Sequence, residues 1–267
     1  MDDVDVTNAL NSEETAWICK LPTSSSAASQ GLFTVTLDGR QLRTPAKNYM
    51  AIPSEALAWA IASEWDAQKS DKRGIQPASM PLMSLFSTAI DQIAANPTHA
   101  RETVLSYLPT DSALFYTTED DRILLRKQKQ YLEPVLARMQ QDLGLALQTT
   151  DQMTLRVEQS PEVVDRVRQV VHGLDPFSLA VLQCMTMECK SLVLSLSFLF
   201  KFINLKQLKV ASRIEEEFQV EIWGVVEGGH DMDRLNNSVS LSSAATFLGL
   251  LEASETHFKT IREIPGK

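Results

Sequence analysis

The stretch that most constrains this fold is Ser191 to Gly224, SLVLSLSFLFKFINLKQLKVASRIEEEFQVEIWG. It opens with dense apolar sequence from Leu192 to Ile203, interrupted only by Ser195, Ser197 and Lys201. A helix apolar all round has no face to offer to water, so other elements have to enclose it. From Leu205 the pattern changes. Leu205, Leu208, Ala211, Ile214, Phe218 and Ile222 recur every three or four residues, the spacing of one helix face. The remaining surface carries Glu215, Glu216, Glu217 and Glu221. Arg213 to Asp233 holds seven acids and one base, a local charge of −6. The pattern predicts a wholly buried helix feeding an amphipathic one with an acidic outer face. That face reads either as plain solvation or as a docking surface held against a rigid core.

The rest of the chain has to supply the enclosure. With 267 residues, 44% of them hydrophobic, it can bury a sizeable core in one or two domains. A net charge of −9 and a pI near 5.0 argue against nucleic acid or an anionic membrane as the main partner. No uncharged run reaches the roughly 18 residues of a membrane span. Lys190 and Lys201 bracket only ten residues of the most apolar stretch. Three cysteines, Cys19, Cys184 and Cys189, do not form a disulfide framework, which favours a reducing compartment. Residues 1–14 carry five acids and no Lys or Arg, the composition of a disordered leader and the opposite of a basic transit peptide.

Taken in order, Thr15–Lys20 is β-like, and a Ser/Ala-rich loop follows. Leu32–Leu37 and Arg40–Thr44 flank Asp38-Gly39, a pair suited to the two positive-φ positions of a tight hairpin turn. Met50–Ile52 is a candidate further strand. A hairpin alone is marginal in water and has to lean on helices. Pro53-Ser54-Glu55 opens a helix to about Gln68, with Leu57, Ile61 and Trp65 in one stripe and Trp59 off it. Pro81 starts the next helix, with Leu82, Leu85, Phe86, Ala89, Ile90 and Ile93 inward. A third runs from Pro97 or Thr98 to Leu108. Asp111–Tyr116 crosses as an irregular or short β segment. A fourth helix, capped near Asp121, runs to about Leu143 with Pro134 bending or dividing it. Pro161–His172 and Pro176 to about Met187 are helical. A last, weak helix is expected near Ser243–Phe258. The predicted class is α+β: a small N-terminal α/β domain with a hairpin sheet, then a mainly helical orthogonal bundle. The predicted borders are 1–14, 15–78, 79–233 and 234–267.

No arrangement of residues amounts to an active site, so no catalytic, cofactor or metal residue is assigned. His99, His172, His230 and His257 match no metal-ligand spacing. His230, Asp231 and Asp233 after Gly228-Gly229 read as a solvated turn. Cys184 and Cys189 read as small core fillers. Gly228-Gly229 lacks the phosphate-loop pattern, and no Gly-x-Ser-x-Gly elbow is present. The residues favour a binding protein.

Five segments in order carry a resemblance: LDGRQLRTPAKN (37–48), IPSEALAWAIASEWDAQ (52–68), MPLMSLFSTAID (80–91), TDSALFY (110–116) and EEEFQVEIWG (215–224). Together they resemble the assembly chaperones of the F-type ATP synthase catalytic head, and more narrowly the type that holds the free α subunit. The similarity spans about Gly31 to Asp233. It departs at Trp17-Ile18-Cys19-Lys20, where the family carries an aromatic-Tyr-Lys run. It departs again at Cys189-Lys190-Ser191, where the family's long apolar helix opens on Thr-Gly-Ser.

The resemblance implies a small α/β domain, a helical C-terminal domain, no cofactor, and residence in the mitochondrial matrix, although no presequence is visible in this chain. It implies a non-enzymatic chaperone that binds the free α subunit and prevents its aggregation before the α/β ring forms. Such a protein is expected to be monomeric when free, without nucleic-acid binding or membrane insertion. The expected contact residues are Glu215, Glu216, Glu217 and Glu221, with Trp223 as an aromatic anchor or, equally, as a core residue closing the helix. The alternative is a helical enzyme with an anion-binding interdomain site around Arg40, Arg43 and Lys47. Those charges are also accounted for as protection of an exposed strand edge.

Overall fold

A computed structural model describes residues 16–20, 31–68, 74–118 and 120–253. The acidic leader, the Ser/Ala loop and the tail past 253 lie outside the described residues. These divide into two compact units. One takes the described residues up to Pro97 together with those from Ser243 on, and the other takes Thr98–Ser242.

In the first unit, β1 (Ala16–Lys20), β2 (Phe33–Leu37) and β3 (Arg40–Gln41) form an antiparallel sheet in that order. The register pairs Ala16 with Leu37 and Thr36 with Gln41. The predicted turn holds Asp38 at φ 48° and Gly39 at φ 79°, the positive angles a two-residue hairpin demands. Met50–Ile52 joins the sheet only at Ile52, which exchanges both backbone hydrogen bonds with Phe33 at 2.8 Å. β2, paired on both sides, is buried throughout.

Helix α1 (Glu55–Asp66) packs on β1 and β2 through Leu57, Ile61 and Trp65, as the four-residue spacing predicts, while Trp59 is 47% exposed. Ser54 caps it by accepting the Leu57 N–H at 3.3 Å. Helix α2 (Pro81–Ser87) continues into a π turn over Thr88–Ile93. Its N-terminal amides find their acceptor on α1. Glu64 accepts from Leu82 N–H and Met83 N–H, both at 2.8 Å. That cap and the α1–α2 packing place α2 with the sheet, so the division falls at Pro97 instead of near residue 78.

The second unit is helical: α3 (Pro97–Ser106, entering it at Thr98), α4 (Arg122–Leu143), α5 (Pro161–His172) and α6 (Pro176–Cys189). α4 passes through Pro134 without dividing and ends at Gly144, φ 69°. The Asp111–Tyr116 crossing follows a 3-10 turn at Leu108–Thr110 and holds a second one, Ser112–Leu114, before a bridge from Phe115 to Thr150.

The organising stretch is three helices, not the two that periodicity suggests: α7 (Leu192–Leu199), α8 (Leu205–Ala211) and α9 (Ile214–Trp223). α7 is apolar and enclosed, as expected. It stops because Lys201 takes a left-handed conformation, φ 61°, and Asn204 then restarts the chain with a reciprocal capping box to Gln207. α7 itself opens on Ser191, whose hydroxyl accepts from Leu194 N–H at 3.0 Å. Lys190 just before it sits at φ 53°, the kind of left-handed position at which a glycine is at ease. α4 packs against α7, α8 and α9. The last helix, α10 (His230–Glu252), begins thirteen residues earlier than expected. Its first half lies in the second unit and its second half in the first, where Leu250 O accepts a 2.5 Å hydrogen bond from Ser54.

Candidate partner-binding site

The acidic run occupies the first turns of α9, which opens without a side-chain cap. Glu215, Glu216 and Glu217 there complement the positive end of the helix dipole. Each also has a protein partner. Arg213, its side chain only 10% exposed, bonds Glu216 and reaches Glu217 at 3.4 Å. Glu217 also holds Arg234 of α10 through both oxygens, linking the two helices. Glu221 accepts from Lys127 Nζ of α4 at 2.6 and 2.7 Å.

Glu215 exposes much of its surface, yet its carboxylate is crowded and accepts a 3.0 Å hydrogen bond from Gln128 Nε2. Burial pushes its pKa above the ordinary carboxylate value, and the Gln128 bond opposes that. Gln128 is 2% exposed and also accepts the Thr117 N–H at 2.8 Å and donates to Phe115 O at 3.3 Å. The reading of this face as merely solvated is therefore corrected. All four glutamates are tied into the second unit. Lys127, Lys209, Arg213 and Arg234 line a groove of about 440 Å³ along α4, α8, α9 and α10, and Glu217 and Glu221 neutralise part of that charge from within.

Trp223 does not close the core. It stands 75% exposed at the end of α9, beside an exposed Ile222.

Of the alternative basic cluster, Arg43 is already engaged within the protein. Arg43 lies over the Tyr49 ring, 4.1 Å from its centroid, and donates to Lys47 O at 3.1 Å. The donors of this loop converge instead on Asp91 of the π turn: Thr44 Oγ1 at 2.5 Å, Ala46 N–H at 3.0 Å and Asn48 Nδ2 at 2.9 Å. A carboxylate of the protein satisfies these three loop donors. Burial pushes the Cys184 and Cys189 thiols up to about 11 and about 12, so neither is a ready nucleophile. Among the described residues no His, Cys, Asp or Glu cluster is placed to hold a metal, and no helix is long and apolar enough to cross a membrane.

Sequence reasoning missed Lys127, Gln128 and Arg234. For Gln128 a signal existed, because it shares the buried stripe of α4 with Leu132, Val135 and Met139. A polar residue in an apolar register has a buried partner to satisfy.

Residues 20–140 match the family described as ATP12 chaperone protein. The mitochondrial protein atp12 of Schizosaccharomyces pombe is 29% identical over 231 residues, covering 83% of this chain and 79% of its own. Mitochondrial ATP12 of Saccharomyces cerevisiae is 25% identical over 256 residues, covering 81% and 78%. The crystal structure of Atp12 from Paracoccus denitrificans superposes with a TM-score of 0.78 at 30% identity, covering 89% of this chain and 96% of that one.

Proposed function

The chain belongs to the ATP12 chaperone family, assembly factors of the F-type ATP synthase catalytic head, and from that premise we propose that it captures the free α subunit. An unpartnered ring subunit exposes an apolar interface that promotes aggregation. A chaperone covering that interface has to release it again to β, which calls for a contact of modest size and mixed polarity. The two yeast relatives are named as mitochondrial, and the matrix is the compartment proposed for this chain.

In this reading α9 is the capture element. Trp223 is the anchor, Glu215 and Glu221 are the charges within reach of a partner, and Glu216 and Glu217 hold the helix to Arg213 and Arg234. The observation that carries the reading is the large exposed indole of Trp223 beside an acidic helix, since aromatic anchors dominate protein interfaces.

The test is capture of purified α and β subunits from the same source on the immobilised protein. α should be retained and β should not, and light scattering by α should fall in the presence of the protein. Equal capture of both subunits, or of neither, refutes the proposal. Within it, Trp223→Ala should weaken α capture at least about ten-fold at an unchanged melting temperature.

A further inference from the structure

Exposed apolar side chains do not end with α9. Val225 and Val226, in the turn after it, are exposed, as are Met232, Leu235 and Val239 on α10. The turn folds back on the start of α10, with Val226 N–H donating to His230 Nδ1 at 3.4 Å and Gly229 N–H to Val226 O at 3.2 Å. Met232, Leu235 and Val239 follow i, i+3, i+7 spacing and share one helix face. Leu241, fully buried, and Asn237, which donates to Glu188 O at 3.0 Å, lie on the other. The Glu217–Arg234 pair ties α9 to α10, and the apolar strip lies on an exposed face of α10.

The charges along the strip differ from those of α9. Among the described residues, Glu227, Asp231 and Asp233 enter no ion pair, whereas Glu216, Glu217 and Glu221 are each matched by an internal cation. Asp231 Oδ1 accepts only the neighbouring Met232 N–H, at 2.9 Å. Three uncompensated carboxylates thus gather at the start of α10, Glu227 and Asp231 beside the unpartnered apolar strip and Asp233 on the side of Glu216 and Gln219 of α9.

We infer that Trp223, the turn after α9 and the exposed face of α10 form a docking surface for an apolar segment of the partner flanked by Lys or Arg, with Glu227, Asp231 and Asp233 supplying unpaired acidic charge in addition to the glutamates of α9. This rests on the reading of the chain as a chaperone of α, and the segment belongs to that subunit. Charge complementarity selects the occupant: a basic-flanked segment is drawn in, and an acidic one is repelled at long range.

The experiment measures binding of purified α to full-length protein, with its salt dependence. Leu235→Ser/Val239→Ser lies outside α9 and should lower equilibrium capture at least about ten-fold. Glu227→Gln/Asp231→Asn/Asp233→Asn should slow association about three- to ten-fold at low salt and flatten the salt dependence, with dissociation little changed. Exposed positions are chosen so that both variants fold, and a melt checks this. If wild type captures α and both variants do so equally well, with unchanged salt dependence, the surface is refuted while the chaperone reading stands. If wild type captures no α, the functional reading fails and the surface falls with it. If the variants alter self-association while sparing α capture, the strip is a contact between copies of this chain, which also overturns the inference.

Discussion

Asp111 gives the sharpest handle on the fold, and Asp111→Asn is the perturbation. The carboxylate is fully buried and serves two elements at once. Oδ1 accepts from Ala113 N–H at 3.0 Å, inside a 3-10 turn, and Oδ2 accepts from Val193 N–H at 2.8 Å, at the start of α7. Burial nevertheless outweighs these bonds and those from Ser191 and Leu192, lifting the pKa from 3.8 to about 6. Because the folded state holds the proton more tightly than the unfolded chain, the stability tied to this group is complete below pH 3.8. It is lost as pH rises through about 6. The whole span corresponds to roughly 3 kcal/mol, of which about 1.4 kcal/mol, a ten-fold change in the folding equilibrium, returns between pH 7.5 and 5.0.

Asparagine is neutral at every pH. Its amide nitrogen would face a backbone donor, costing about 1–3 kcal/mol, and the removed buried charge offsets a similar amount at pH 7.5. Absolute stability is therefore a poor readout, and the slope decides. Urea unfolding of both proteins should show the wild-type advantage growing by about 1.4 kcal/mol from pH 7.5 to 5.0, with other titrating groups cancelling in the difference. A difference that stays flat, or moves the other way, would refute the account of Asp111 as a buried anion.

Glu64→Ala removes both acceptors from the first amides of α2 and should cost about 1–2 kcal/mol, read as a lower urea midpoint with an unchanged slope. The tryptophans of α1 should separate cleanly: Trp65→Ala costs about 3–5 kcal/mol, whereas Trp59→Ala stays within about 0.5 kcal/mol. Trp65→Phe should be much milder than Trp65→Ala, because the buried indole N–H has no hydrogen-bond partner to lose, and thermal melts of the three variants check this order.

What could be read in advance followed from short-range chemistry. Asp38-Gly39 announces its turn because few other pairs accept positive φ twice, and Ser160-Pro161 with Gly173 brackets α5 with a cap, a preset φ and a stop. The Asn204…Gln207 box was equally local, but the apolar run around it masked the break between α7 and α8. The left-handed lysines, Lys47, Lys190 and Lys201, carry no such mark, since nothing in a lysine codes for that conformation. The sequence hides the start of α10 because its exposed first half, with Met232, Leu235 and Val239 outward, has an apolar face that turns away from the core.

For the candidate site, the acidic run was plain in sequence but its state was not. Lys127 is 94 residues from Glu221 and Arg234 is 17 from Glu217, so pairing emerges only after the helices assemble. Trp223 could have gone either way, because a tryptophan at a helix end fits a core or a contact equally well.

The Asp91 carboxylate within the Thr44–Asn48 loop links two of the sequence blocks that carry the resemblance, 37–48 and 80–91. For anyone recombining this chain with a relative, those blocks are one module despite the 31 residues between them. A crossover placed between 48 and 80 keeps the loop satisfied only where the relative also supplies an acid at the position of Asp91; with any other side chain there, three donors are left without an acceptor. Safe junctions lie outside the pair, ahead of Leu37 or beyond Asp91.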